Sequence, residues 1–108
     1  MDQSIVVCVA AGSEHEALSI AKALVEERLA ACANLIAKIR SIYRWEGKVC
    51  DESECYLIVK TRQRLFQAIQ ERIKSIHSYD VPEIIAVPIV EGLESYLEWI
   101  HKETNKKP

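Results

Sequence analysis

LIAKIRSIYRWEGKVCDESECYLIVKT, running from Leu35 to Thr61, is the stretch that decides the fold. Its first part alternates with a period of two. Leu35, Ala37, Ile39, Tyr43 and Trp45 are expected on one face, and Lys38, Arg40 and Arg44 on the other. Such alternation marks a half-buried strand, because successive strand side chains point to opposite faces. Gly47 and the polar residues through Glu54 read as a turn, and CYLIVKT, Cys55 to Thr61, as the returning strand. The two halves make a long β-hairpin.

Upstream, SIVVCVA (Ser4 to Ala10) is short, β-branched and followed by Gly12, the pattern of a buried strand. Ser13 with Glu16 three residues on forms a capping box, so a helix starts there. Ala17, Ala21, Leu24 and Val25 share one face of that helix, followed by Leu29. Downstream of the hairpin, Leu65, Ile69, Ile73 and Ile76 lie on one helical stripe that ends near His77. IIAVPIV (Ile84 to Val90) reads as a fourth strand, and Pro88, which has no ladder donor, places it at an edge or a bulge. Leu93, Tyr96, Leu97 and Ile100 then outline a last amphipathic helix, before a TNKKP tail expected to fray. Strand, helix, strand, strand, helix, strand is the ferredoxin-like order. The fold class is therefore α+β, a βαββαβ sandwich with an extra C-terminal helix and a long central hairpin, forming one domain over residues 1–108. Ile36, Ile42, Tyr56 and Ile58 on the nominally outer side of the hairpin would expose apolar surface in a monomer, which points to oligomerisation.

Composition narrows the function classes. Apolar residues make up 49% and charged residues 28%, as in an ordinary globular chain, and the formal net charge of −2 leaves no electrostatic footprint for nucleic acid or an anionic membrane. The acidic start MDQSIVVCVAAGSEHE does not read as a secretory leader, and no apolar run reaches membrane-spanning length, so the cytoplasm is the expected compartment. In that compartment Cys8, Cys32, Cys50 and Cys55 do not form a disulfide framework, and their spacing is not that of a structural zinc site.

Chemistry-bearing residues concentrate in HSYDVPEI, His77 to Ile84, a loop between a helical pattern and a strand. His77, Tyr79, Asp80 and Glu83 give it an imidazole, a phenol and two carboxylates. The split βαβ layout allows this loop to meet Cys32, at the start of the long strand, and Lys60, near the end of its partner, at one end of the sheet. Thiolate, imidazole and carboxylate together suit copper or zinc, whereas the lysine favours an anionic ligand or a more ionised Cys32. Each residue also has a plainer role: His77 as a C-terminal helix cap, Cys32 as a small buried hydrophobe, Trp45 and Tyr43 as packing anchors, and Glu83 as a cap or a partner of Lys60.

AACANLI (Ala30 to Ile36), SIYRWEGKV (Ser41 to Val49), YLIVKT (Tyr56 to Thr61), HSYDVPEI and YLEWI (Tyr96 to Ile100) together resemble the CutA1 divalent-cation tolerance proteins, in order and over almost the whole chain. The resemblance implies a tight homotrimer, its interfaces built by the long hairpin strands, in a protein associated with tolerance of copper and other heavy metals, and the leading expectation is a cytoplasmic protein that acts by binding divalent cations rather than by catalysis. It further implies a metal set of Cys32, His77 and Glu83, with Lys60, Tyr79 and Trp45 in a cleft between subunits. Ser78 stands where the family usually carries proline and Asp80 where glutamate or another polar residue is common, so the loop is expected to be less rigid. Cys8, Cys50 and Cys55 match no family motif. Two alternatives remain beside the cation-binding reading. One is a trimeric signalling module resembling the PII-like proteins, with Lys60 receiving an anionic effector. The other is a thiol enzyme pairing Cys32 with His77, which requires the two within hydrogen-bond reach.

Overall fold

The computed structural model describes residues 2–104. Its elements are β1 (Ser4–Ala11), α1 (Glu14–Glu26), β2 (Cys32–Trp45), β3 (Lys48–Arg62), α2 (Phe66–Ile76), β4 (Ile84–Pro88) and α3 (Glu94–Glu103), with a 3₁₀ turn at Gln63–Leu65 leading into α2. The four strands form one sheet in the order β2-β3-β1-β4, and every neighbouring pair is antiparallel. This is the expected ferredoxin-like order, and Pro88 does close an edge strand. Thr104, the first residue of the tail expected to fray, is instead fully buried and donates through Oγ1 to Ile100 O at 2.8 Å, and the rest of that tail, residues 105–108, lies outside the described residues.

One sheet face carries Ile5, Val7, Val9, Leu57 and Val59, which pack with Ala17, Ile20 and Leu24 of α1 and Ile69 and Ile73 of α2. All ten are at most 1% exposed, so they contribute the bulk of the hydrophobic stabilisation. α3 instead reaches the opposite face at one end of the sheet. His101 Nε2 lies 3.4 Å from Ser4 Oγ, and Arg62 Nη2 donates to Thr104 O at 2.9 Å, while Ser4 and Arg62 are themselves directly paired.

The central hairpin differs from its sequence reading in two ways. The turn is only Glu46-Gly47, both with positive φ (49° and 80°), between the paired residues Trp45 and Lys48. Two positive-φ residues are what a type I′ hairpin turn requires, and Gly47 adopts its value without a Cβ penalty. The polar run from Lys48 to Glu54 is therefore strand, extending past the end of β1 at Ala11, which pairs with Cys55. Polarity misled the reading, because a hairpin arm with no sheet neighbour has little reason to be apolar.

The second difference is a β-bulge. Ile36 pairs with Tyr56, but the next regular pair is Ile39 with Glu54, so β2 spends one residue more than β3. Directly opposed residues point to the same face. Leu35 therefore shares the helix-covered face with Leu57, whereas Tyr43 and Trp45, beyond the bulge, share the open face with Cys50 and Lys48. The single alternating stripe from Leu35 to Trp45 is thus split between two faces, and Ile42 no longer shares a face with Ile36. Ile42 and Val49 are both 66% exposed on the projecting arm.

Candidate functional site

Cys32 and Lys60 face each other across the β2–β3 ladder, with Val6 the next pair along the row. Cys32 Sγ lies 3.6 Å from Asn34 Oδ1, and the Lys60 ammonium donates to the same oxygen. Tyr96 of α3 closes this group. Burial, then the neighbouring Cys32, pushes the Tyr96 phenol up.

His77 sits elsewhere. As the C-cap of α2, with φ −70° and ψ 139°, it bonds its backbone N–H to Ile73 O. Its buried ring fits between two partners: Nδ1 accepts from Tyr79 N–H at 3.1 Å, which leaves Nε2 to donate to Ala10 O at 2.7 Å. Both ring nitrogens are thus committed, and the tautomer is set by the Tyr79 amide. Ala10 is four residues along β1 from Val6, so the His77 and Cys32 rows are about 13 Å apart along the strand. The expected convergence at one end of the sheet does not occur within a protomer. Among the described residues, no three or more His, Cys, Asp or Glu side chains come together closely enough to hold a metal ion. Glu83 does not pair with Lys60 either, because it accepts from the Tyr56 hydroxyl at 2.6 Å. Burial, then Glu83 and Cys8, pushes that phenol well up.

The structure instead brings Trp45 and Tyr79 together. With Tyr43, Glu52, Ser78, Asp80 and Val81 they line a cleft of about 370 Å³ between the hairpin arm and the loop after α2. The Tyr79 hydroxyl donates at 2.8 Å to Glu54, a carboxylate only 7% exposed, and Tyr43 donates to Glu52. Sequence reasoning missed Glu52 and Glu54 because it placed them in a turn.

It also missed Glu16 beyond its helix-capping role. Glu16 N–H donates to Ser13 Oγ at 3.1 Å, as the capping box requires. Its carboxylate, however, accepts from Ser78 N–H at 2.7 Å and from Gly12 N–H at 3.3 Å. Burial raises this carboxyl, but the Ser78 and Gly12 hydrogen bonds and nearby His77 outweigh it and hold it below its ordinary value. A proline at position 78 would have no such N–H to give. Ser78 is therefore tied to α1 rather than left loose, and Gly12 sits so close that an added Cβ would be 3.1 Å from the Tyr79 hydroxyl. The wall of the cleft is held by the β1–α1 corner.

These features define a class: a ferredoxin-like α+β protein with a bulged, projecting central hairpin and a loop clamped against its base. Comparison with known proteins makes the class specific. The model of the CutA1 family, described as CutA1 divalent ion tolerance protein, matches residues 5–103, and the chain belongs to that family. It is 50% identical over 99 residues to the divalent-cation tolerance protein CutA of Thermus thermophilus, covering 92% of this chain and 96% of that protein. It is 45% identical over 92 residues to human Protein CutA, covering 85% of this chain but 51% of the human protein. The chain thus spans about half the length of its human relative. The solved Thermus thermophilus structure superposes with a TM-score of 0.92 at 49% identity, covering 94% of this chain and 99% of that one. The Oryza sativa CutA1 structure gives 0.93 at 43%, covering 98% and 97%. No described helix is long and apolar enough to cross a membrane.

Proposed function

We propose that this protein is a cytoplasmic homotrimer that binds copper or another divalent cation and confers tolerance by binding rather than by turnover. The observation that carries the proposal is family membership across residues 5–103, under a description that is itself divalent ion tolerance. Assembly is supported by the projecting hairpin, whose exposed Ile42 and Val49 form apolar surface that a second copy can cover. Cys32, partly exposed on the open sheet face, is the soft donor of the proposed metal set. His77 and Glu83 would come from a neighbouring subunit, because within one chain they contact the Ala10–Tyr56 pair, on a different row from Cys32. Lys60, Tyr79 and Trp45 belong to the proposed ligand cleft between subunits. For a metal to bind His77 at Nδ1, the Tyr79 N–H must be released, so metal binding there carries a signature at that amide.

The test is copper(I) titration under reducing conditions of the native protein, Cys32→Ala and His77→Ala, with the Tyr79 amide followed by NMR and solution mass by light scattering. Tight binding lost in both variants, a perturbed Tyr79 amide and a mass three times the 12.3 kDa protomer support the reading. Unchanged affinity in the variants removes the metal set, and a monomeric mass removes the intersubunit site.

A further inference from the structure

We propose that the cleft lined by Tyr43, Trp45, Glu52, Tyr79 and Asp80 is a binding site for a small alkylammonium ion. It shares Trp45 and Tyr79 with the ligand cleft proposed above, and for those two residues it rests on that reading. It includes none of Cys32, His77 and Glu83 and does not depend on the metal set.

Three aromatic side chains border the cleft, and its charged lining is entirely acidic, Glu52 and Asp80. Both phenolic protons already point into carboxylates, Tyr43 to Glu52 and Tyr79 to Glu54. The hydroxyls are thus spent as donors, while their oxygens and ring faces remain electron-rich. Tyr43 is pushed up to about 12 by its bond to Glu52, then by burial and by the negative charge around it. Of the four cations on the projecting arm, Arg40 is bound to Asp51 at 2.7 Å on the opposite face, Arg44 pairs with Val49 on that same face, and neither Lys38 nor Lys48, which faces Trp45 at the tip, lines the cleft.

The site's chemistry selects among cations. A divalent metal needs several donors converging on a point, and no three His, Cys, Asp or Glu side chains come together in that way among the described residues. Aromatic faces offer no coordinating lone pairs but attract weakly hydrated ammonium groups, as in the aromatic cages that bind quaternary ammonium. The carboxylates of Glu52 and Asp80, which also line the cleft, add electrostatic attraction for a cation. The volume of about 370 Å³ is at the small end for ligand sites, which limits the guest to a small ammonium ion. The bulge before Ile39 is what makes this possible, because it turns Tyr43 and Trp45 onto the open face beside the loop.

The experiment is ¹H NMR titration of tetramethylammonium into the full chain, following the methyl resonance. Rings on several sides of the cation should shift that signal upfield, saturably and in the millimolar range. Trp45→Leu should remove the shift, and Asp80→Asn should weaken binding roughly two- to fivefold, as loss of one exposed charge does. Choline should bind where its neutral isostere 3,3-dimethylbutan-1-ol does not. Copper(I) should leave the tetramethylammonium signal in place. The proposal is overturned if no saturable upfield shift appears, if the neutral isostere binds equally, or if Trp45→Leu keeps the shift while circular dichroism shows an intact fold. Displacement by copper(I) overturns it as well, since the two cations would then share one site. Failure of the copper titration alone bears only on the metal set.

Discussion

The clamp between Glu16 and Ser78 yields a prediction that the structure makes quantitative. Replacing Glu16 with alanine removes an acceptor for Ser78 N–H at 2.7 Å and for Gly12 N–H at 3.3 Å. Hydrogen bonds to charged groups contribute about 1.5–3 kcal/mol in protected settings. The Glu16 carboxylate is only partly buried, so solvent screening brings the expected cost of Glu16→Ala down to about 1–1.5 kcal/mol. Ser78→Pro deletes the same donor from the other side. His77 already has the extended φ and ψ that a following proline requires, so proline is accommodated from that side. Its restriction of the unfolded chain returns about 0.4–1 kcal/mol, and the single variant should be close to neutral. The decisive quantity is the coupling. In the Ser78→Pro background, Glu16→Ala should cost only about half a kcal/mol, because its main partner is already gone. The assay is urea unfolding at one fixed protomer concentration, with the midpoint moving and the slope unchanged. The pH dependence has a definite sign. Because the folded carboxyl is held below its ordinary value, its contribution is complete above the unfolded value of 4.5 and disappears as pH falls through the depressed one. Glu16→Ala should lose that acid-side decline. Equal cost of Glu16→Ala in both backgrounds, or an unchanged exchange rate of the Ser78 amide in Glu16→Ala, would refute the clamp.

Two further predictions concern buried groups. Tyr79→Phe leaves the buried Glu54 carboxylate without the phenol that donates to it, so the protein should lose about 1–3 kcal/mol in thermal unfolding; an unchanged midpoint would contradict that bond. Cys55 is 1% exposed, and burial, then nearby Glu14, pushes its thiol up. Iodoacetamide at pH 8 should therefore label the partly exposed Cys8, Cys32 and Cys50 well before Cys55 in peptide mass spectra, and equal labelling would count against the packing around β3.

What the sequence determined by itself is the order of elements and the side that faces the core. Periods of 2 and 3.6 are local properties, so β1, both packed helices and the edge position of Pro88 could be read from spacing, as could Ser13 and Glu16 at the start of α1. The site was legible only as a set of residue types. Trp45 and Tyr79 do meet in one cleft, whereas Cys32 and His77 stand on different rows, and only the sheet register could separate them. Tertiary structure also decided the faces of the hairpin arm. One extra residue between Ile36 and Ile39 reverses every later side chain, and that residue is accommodated by pairing with Tyr56 and Glu54 on another strand. The environment of His77 was hidden for the same reason, since its Nε2 partner, Ala10 O, lies 67 residues away in the chain. Alternation reports which side a residue faces relative to its near neighbours; which residues share a face across strands is set by register, and register is a property of the folded sheet.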